Sequence, residues 1–237
     1  MQVIRFLDTE SPLYVAEGHN RLQAAAARAA TCERYVDEIF RRYLDAAAVF
    51  NATMRSVSLS DGIPDIEKMS LQSMRVHLEI ESFYVFGKMQ LDGIAQLLHW
   101  WFKDSRNDEG DQIARGLSIQ RHRELQKNLP ELVAAGSLSY PSELVELAKC
   151  LQAKVADYRD TEVTHDQSHS FPASLVSREG DVTIIKARRG PNAANEHHHR
   201  EPLGEVNQLR IRYTVAAMQF LTLNRRRGPL RTFLKQA

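Results

Sequence analysis

The chain has 237 residues, of which 43% are hydrophobic and 26% charged, a composition that is typical of a folded globular protein and argues against wholesale disorder. Its 11 glycines and 8 prolines are few for this length, which disfavours collagen-like, proline-rich and many-turned all-β folds. No stretch approaches the roughly 18 uninterrupted apolar residues of a membrane span, and residues 1–10 lack the apolar run of a secretory signal. Cys32 and Cys150 stand far apart, as is typical of a reducing compartment, so we predict a cytoplasmic protein without membrane association.

Long helical patterns dominate the first half of the chain. From about Pro12 to Ser58 apolar residues recur every three or four positions, and the small residues 25–27 would let another helix approach closely. A second helix is predicted from about Asp65 to Lys103, because its apolar positions step alternately by four and three residues. We expect it at the centre of a bundle, with Gly87 at a close backbone crossing.

Shorter elements follow. We predict a third helix over about 118–129, ended by Pro130, and a fourth that begins after Pro141 and continues to about Val163. Two short β-type runs around Glu179-Gly180-Asp181 indicate a hairpin over 174–186. A last helix is predicted over about 203–223.

These elements predict an all-α fold, a helical bundle of four to five helices with a small β-hairpin insertion near residues 174–186. We expect a single domain over 1–237, since no linker-like stretch interrupts the helices. Its parts are a core bundle over about 12–168, the hairpin and a basic loop over about 174–200, and the C-terminal helix with a basic tail.

Charge is unevenly distributed along the chain. The segment 186–237 holds 11 basic and 3 acidic residues, which leaves 20 basic and 27 acidic residues in the rest of the chain. A basic end on an acidic body can attract nucleic acid, and Arg225, Arg226 and Arg227 are the candidate contacts. The same pattern also fits a solvated helix face with an arginine-rich tail that pairs with the protein's own acidic body or with a partner.

The stretch Tyr158-Arg159-Asp160-Thr161-Glu162-Val163-Thr164-His165 is the most suggestive for chemistry. An arginine followed six positions later by a histidine matches the R-x(4–6)-H signature, and the chain here resembles the HEPN superfamily of helical domains, many of which are metal-independent ribonucleases. The preceding amphipathic helix and the earlier apolar helix with embedded acidic residues extend that resemblance over about 65–168.

The resemblance implies that His165 transfers a proton, that Arg159 binds the scissile phosphate, and that Asp160 orients the histidine or the substrate. These residue types suit the reaction, because imidazole titrates near neutral pH and a guanidinium binds phosphate oxygens bidentately. Six residues turn an ideal helix through about 600°, so the two side chains flank one edge, and two such edges would meet in a homodimer. An ordinary reading stays open: Arg159 can pair with Glu162 on a helix surface, and a histidine is favoured near a helix C-terminus.

Three acidic residues of the second helix are candidate supporting groups: Glu79, Glu81 and Asp92. Asp92 could tune the catalytic histidine, or it could form a satisfied pair with Gln96 four residues on. No metal or other cofactor is predicted, because His165 and His169 lack a nearby third ligand. The run 197–199, three histidines, is expected to be an exposed polar loop.

These observations predict a metal-independent endoribonuclease, in a toxin–antitoxin or defence role, whose partners are RNA, a second copy of the chain and an antitoxin protein. Phosphate-binding glycine loops, the G-x-S-x-G elbow and the H-E-x-x-H motif are absent from the sequence, which excludes P-loop and zinc-protease chemistry. Two alternatives stay open. The first is a non-catalytic helical module that binds a protein or nucleic acid, and the second is a DNA-binding protein that uses the arginine-rich end.

Overall fold

The computed structural model describes residues 2–15, 20–58, 66–103, 105–106, 110–157, 174–178, 181–185 and 203–227. The helices are α1 (Gln2–Val15), α2 (Asn20–Ser58), α3 (Ile66–Phe102), α4 (His122–Gly136), α5 (Leu144–Leu151) and α6 (Leu203–Leu223). A π-helical turn, Gln152–Asp157, follows α5, and a 3₁₀ turn, Arg225–Arg227, follows α6. The chain is mostly helical, as the sequence predicts.

Two short strands complete the described part of the chain. β1 (Ser174–Arg178) pairs antiparallel with β2 (Asp181–Ile185), with Ser174 opposite Ile185 and Arg178 opposite Asp181. Both strands contact α2.

A long hairpin of α2 and α3 is the frame of the fold. The two helices have 39 and 37 residues, and therefore lengths of about 55–60 Å. The two helices approach closely where Gly93 meets Ala29: a Cβ atom on Gly93 would lie 3.1 Å from the Ala29 Cα. The backbone crossing predicted at Gly87 is thus misplaced, since a Cβ there would meet the Val155 side chain, at 3.3 Å.

The first helix is the main difference from the sequence prediction. The predicted helix over 12–58 is wrong at its start: residues 2–15 form the separate helix α1, which raises the described helices to six where four to five were predicted. The carboxylate of Glu33 accepts hydrogen bonds from the backbone N–H groups of Gln2, at 2.7 Å, and Val3, at 3.1 Å. A cap supplied from about 30 residues away leaves no local sequence signal. Val3 and Phe6 are buried, so the core begins well before residue 12.

The helices α4 and α5 also depart from their predicted bounds. The predicted break at Pro130 is wrong, because α4 runs from His122 to Gly136 and includes it. Pro130 lies on the exposed side of α4, where water can bind the carbonyl group that lacks a helical donor. Regular α-helix in α5 ends at Leu151, where the π-helical turn begins, and the predicted end of this helix at Val163 lies outside the described residues.

One hydrophobic core joins the described helices. Among its largest fully buried apolar side chains, Ile119 precedes α4, Leu125 lies on α4, and the others come from α3 and α6. These others are Phe83, Leu91, Ile94, Leu97, Leu98, Trp101 and Phe102 of α3, and Tyr213 and Phe220 of α6. The middle of α3 therefore lies at the centre of the packed part of the molecule, as its sequence pattern predicts.

Candidate functional site

Three polar residues interrupt the apolar middle of α3. Lys88, Gln90 and Asp92 lie in the part of the helix bounded by Gly87 and Gly93. Lys88 and Gln90 are buried, and Asp92 is half-buried. A buried polar group has lost its water and is costly unless the protein supplies a partner. The partners of these three residues form two clusters.

The first, which we name the Asp92 cluster, consists of Lys88, Asp92, His122 and Tyr213. The Asp92 Oδ1 atom accepts a hydrogen bond from the Lys88 Nζ atom at 2.6 Å and from the backbone N–H of His122 at 2.8 Å. His122 is the first residue of α4, so the carboxylate lies at the positive end of the helix dipole. The cluster therefore fixes the start of α4 to the middle of α3.

His122 is fully buried within this cluster. Its Nε2 atom lies 3.0 Å from the carbonyl oxygen of Ala148, and its Nδ1 atom lies 3.4 Å from the hydroxyl of Tyr213. Because a carbonyl oxygen can only accept, the hydrogen-bond pattern assigns the proton to Nε2 and leaves Nδ1 to accept from the tyrosine. Burial, and to a lesser extent the Asp92 carboxylate, raises the pKa of Tyr213 well above its ordinary value. Tyr213 therefore stays neutral and keeps its donor.

The second, the Arg210 cluster, joins α2, α3 and α6 and consists of Asp37, Gln90, Asn207, Arg210 and Thr214. Arg210 is 2% exposed. Its guanidinium donates to Asn207 Oδ1 at 2.7 and 2.9 Å, to Gln90 Oε1 at 2.9 Å and to Asp37 Oδ1 at 2.5 Å. The amide of Gln90 in turn donates to Thr214 Oγ1 at 3.1 Å. A charge this deeply buried needs such a set of acceptors.

Most of the polar groups in both clusters are shielded from a ligand. His122 and Tyr213 are fully enclosed, and the polar atoms of Arg210 are directed at protein acceptors. Asp92 and Asp37 are the members that reach the surface, with side chains 30% and 35% exposed. The hydrogen bonds of the two clusters therefore join the helices that contribute to them.

The π-helical turn leads from this region into the predicted motif. Val155 of the turn is buried and packs against Gly87, the residue before Lys88. The turn ends at Asp157, two residues before Arg159. Such turns are rare and occur often at functional sites. The predicted site residues Arg159, Asp160 and His165 themselves lie outside the described residues.

The three predicted supporting carboxylates are described, and the structure does not bring them together. Glu79 forms an ion pair with Arg42 of α2, with its carboxylate 3.0 Å from Nη2 and 3.2 Å from Nε. Glu81 is exposed, about 16 Å along the helix from Asp92. The predicted pair of Asp92 with Gln96 is wrong, because Lys88 and the α4 N-terminus occupy Asp92, while Gln96 accepts from Arg28 at 3.4 Å.

The predicted nucleic-acid contacts 225–227 form the 3₁₀ turn after α6. Arg226 is exposed, whereas Arg225 and Arg227 are half-buried. The backbone carbonyl of Arg227 accepts a hydrogen bond from the Ser105 hydroxyl, and its guanidinium donates to the carbonyl of Arg106 at 3.4 Å. The turn is therefore attached to the chain after α3, and Arg226 is its most accessible cation.

Three further findings bear on the predicted chemistry. Within the described ranges no group of three or more histidine, cysteine, aspartate or glutamate residues could hold a metal ion. His169 and the histidines 197–199 lie outside those ranges. No helix in the described part of the chain is long and apolar enough to cross a bilayer.

Neither cluster is predicted from the sequence, although part of each leaves a local signal in it. Lys88 and Asp92 are four residues apart on α3, and Asn207 and Arg210 are three apart on the buried face of α6. Polar pairs at these spacings inside apolar helices indicate buried partners. No such signal exists for His122, whose partners lie 26 and 91 residues away.

No protein-family model, curated protein or solved structure matches the chain. The likeness to the HEPN superfamily therefore depends on the spacing of Arg159 and His165 and on the helical pattern that precedes them.

Proposed function

We propose that the protein is a metal-independent endoribonuclease of the HEPN type. The observation that carries the proposal is the position of the Arg159–His165 motif directly after a π-helical turn that packs on the middle of α3. Rare helical distortions of this kind are frequent at functional sites, and the two side chains of the motif that follows suit phosphodiester cleavage, which supports the proposal.

The proposed reaction is transesterification within the RNA strand. His165 takes the proton from a ribose 2′-hydroxyl, whose oxygen attacks the adjacent phosphorus while the bond to the 5′-oxygen of the next nucleotide breaks. Arg159 binds the phosphate oxygens as negative charge gathers on them, and Asp160 orients the imidazole or the substrate. A proton returned to the leaving 5′-oxygen completes the step, and no metal ion takes part.

We further propose that two chains form the complete cleft. On an ideal helix Arg159 and His165 flank one edge, so a second copy related by a two-fold axis would supply the other wall. A cytoplasmic role is in keeping with Cys32 and Cys150, which are both free thiols. In a toxin–antitoxin setting, the expected further partner is an antitoxin protein.

The test is RNA cleavage by the purified full chain in excess EDTA. The wild-type chain should cleave a structured RNA, and Arg159→Ala and His165→Ala should each abolish cleavage while leaving the circular dichroism spectrum unchanged. Arg34→Ala is the matched control, since Arg34 is an exposed residue of α2 and its loss should leave cleavage unchanged. Cleavage that both motif variants retain would refute the proposal.

A second candidate function, a non-catalytic module that binds a partner protein, is favoured by one surface. Leu71, Met74 and Leu78 of α3 are 50%, 50% and 61% exposed, and their spacing of three and four residues places them on one helix face. An exposed apolar row of this kind is typical of a surface that binds an amphipathic helix.

The test of this second candidate begins with a wild-type chain that cleaves no RNA. Leu71→Ser/Leu78→Ser should then abolish the capture of a protein partner, because the double change removes the two ends of the apolar row. Arg34→Ala should leave capture unchanged, since Arg34 lies on α2. Capture that the folded double variant retains would exclude the row as the binding surface.

A further inference from the structure

Exposed cationic and aromatic side chains line one edge of the α2–α3 hairpin. Arg21, Arg28 and Tyr35 recur every seven residues on α2, a spacing that keeps them on one face of the helix. All three are exposed, and Tyr35 is 54% exposed. The same edge continues toward Arg42, where the Glu79 carboxylate neutralises the next cation in the row.

Residues of α3 face each member of this row. The Arg21 guanidinium lies 5.1 Å from the ring centroid of Trp100, and the Lys103 ammonium lies 4.7 Å from the same centroid. Arg28 contacts Gln96, one turn before Trp100, as described above.

Farther along the edge, the ring centroid of Tyr35 lies 5.4 Å from the ring centroid of Phe86. Trp100 and Phe86 are both half-buried, so each ring is anchored against the core and keeps an accessible part. We name this edge the seam and define it by Arg21, Arg28, Tyr35, Phe86, Trp100 and Lys103.

The cations of the seam are not neutralised by the described part of the protein. No described carboxylate forms an ion pair with Arg21, Arg28 or Lys103. Other arginines of the described residues do have a carboxylate partner: Arg41, Arg42, Arg210 and Arg212. Three positive charges thus lie along the two helices with no described counter-charge, and two of them, Arg21 and Lys103, contact only the Trp100 ring among the described aromatic side chains. Such an arrangement leaves charge and stacking surface for a ligand that has both anionic and aromatic groups.

We infer that the seam binds single-stranded nucleic acid. Arg21 and Lys103 would move from the Trp100 ring to pair with backbone phosphates, as Arg28 would, and bases would then stack on Trp100 and Tyr35. The α2 row from Arg21 to Tyr35 spans about 21 Å, which accommodates several nucleotides. An unpaired strand fits better than a duplex, because the faces of paired bases are stacked within the helix and are not available to an aromatic side chain. This inference rests on the proposed function and deepens it, since it gives the RNA substrate a binding surface outside the cleavage motif.

The probe that separates binding from cleavage is a fluorescein-labelled deoxythymidine 15-mer. It lacks the 2′-hydroxyl that the proposed reaction needs, so its binding can be measured by fluorescence anisotropy without cleavage. His165→Ala should bind it as the wild type does, whatever its effect on RNA cleavage. A failure of the nuclease proposal and a failure of the seam are therefore distinguishable.

Two variants test the two kinds of contact. Trp100→Leu, which keeps an apolar side chain against the core, should weaken binding about tenfold or more through the loss of base stacking. Arg21→Gln/Lys103→Gln should reduce the slope of log affinity against log salt by about 1.4, since each phosphate contact to a single strand contributes about 0.7. Arg55→Gln is the matched control, because Arg55 is an exposed residue of α2 about 50 Å along the helix from Arg21. Its loss should leave the affinity for the oligonucleotide unchanged.

Tryptophan fluorescence of the wild-type chain gives a test that does not depend on whether a variant folds. Trp101 is 1% exposed and shielded, whereas Trp100 is accessible, so the oligonucleotide should quench tryptophan fluorescence on binding. The inference is overturned if saturating oligonucleotide leaves this fluorescence unchanged, or if folded Trp100→Leu binds as tightly as the wild type. A third measurement compares the 15-mer with the same strand annealed to its deoxyadenosine complement. Equal affinity for this duplex and the single strand would also overturn the inference, because it would show charge attraction without base stacking.

Discussion

The Arg210 cluster allows the most specific prediction about stability. Arg210→Met would replace a buried guanidinium with an unbranched apolar side chain of similar reach. The change removes every donor that satisfies the side-chain oxygens of Gln90 and Asn207, whose residues are 0% and 5% exposed. These two acceptors would then be buried without a partner.

The magnitude follows from those two acceptors. A buried polar group left without its hydrogen bond costs about 1–3 kcal/mol. The Asp37 side chain is 35% exposed, so water can replace its lost partner, and the ion pair itself adds less than about 1 kcal/mol. We therefore expect Arg210→Met to lower the free energy of unfolding by about 3–5 kcal/mol, the range found when one partner of a buried charged network is removed.

The assay is equilibrium unfolding in urea, monitored by circular dichroism, for the wild type and two variants. Arg212→Met is the matched control, because Arg212 lies two residues away on α6, is exposed and pairs with Glu143 on the surface. Its loss should cost less than about 1 kcal/mol. Equal unfolding free energies for the two variants, at unchanged denaturant dependence, would refute the energetic role assigned to the cluster.

Three further changes test other parts of the fold. Gly93→Ala would place a Cβ atom 3.1 Å from the Ala29 Cα and should lower the free energy of unfolding in urea by about 1–3 kcal/mol. Gly204→Ala is the control, because a Cβ there would meet no neighbouring residue within 4 Å, and it should be neutral or stabilising by up to about 1 kcal/mol. The reverse order of stabilities would contradict the close approach of α2 and α3. Glu33→Ala removes the cap of α1 and should lower the unfolding free energy by about 1–2 kcal/mol, and a loss as small as that of an exposed glutamate would exclude the capping role. The raised pKa of Tyr213 means that above about pH 10 the unfolded chain ionises this group first, so stability that is complete below about pH 10 should fall as the pH rises further. Tyr213→Phe should reduce that slope in urea unfolding at about pH 9 to 11, and an identical slope would show that the residue titrates normally.

The sequence predicts those elements whose causes are local. The bounds of α6 at Leu203 and Leu223 follow from its apolar periodicity, and α3 begins at Ile66, next to the predicted start at Asp65. The start of α1 depends instead on Glu33, and the start of α4 on Asp92, and both caps come from about 30 residues away. Local rules cannot detect a cap of this kind.

The candidate site shows the same division. The acidic residues of α3 are visible in the sequence, since charges within an apolar helix are conspicuous, but their separate partners are not, because Arg42 and the α4 N-terminus lie on other helices. The seam also depends on pairing two helices: the heptad row of α2 is visible in the sequence, but only the α2–α3 register brings Arg21 to Trp100. The roles of Arg159, Asp160 and His165 stay predictions from their spacing.

Analysis of the cleavage products tests the central proposal most directly. The wild-type chain, incubated with a short RNA in excess EDTA, should give fragments that end in a 2′,3′-cyclic phosphate or its 3′-phosphate product, as mass spectrometry can show. The same RNA with 2′-O-methyl riboses should remain intact, and His165→Ala should give no fragments. Fragments with 3′-hydroxyl and 5′-phosphate ends, or cleavage of the methylated strand, would contradict the proposed attack by the 2′-hydroxyl.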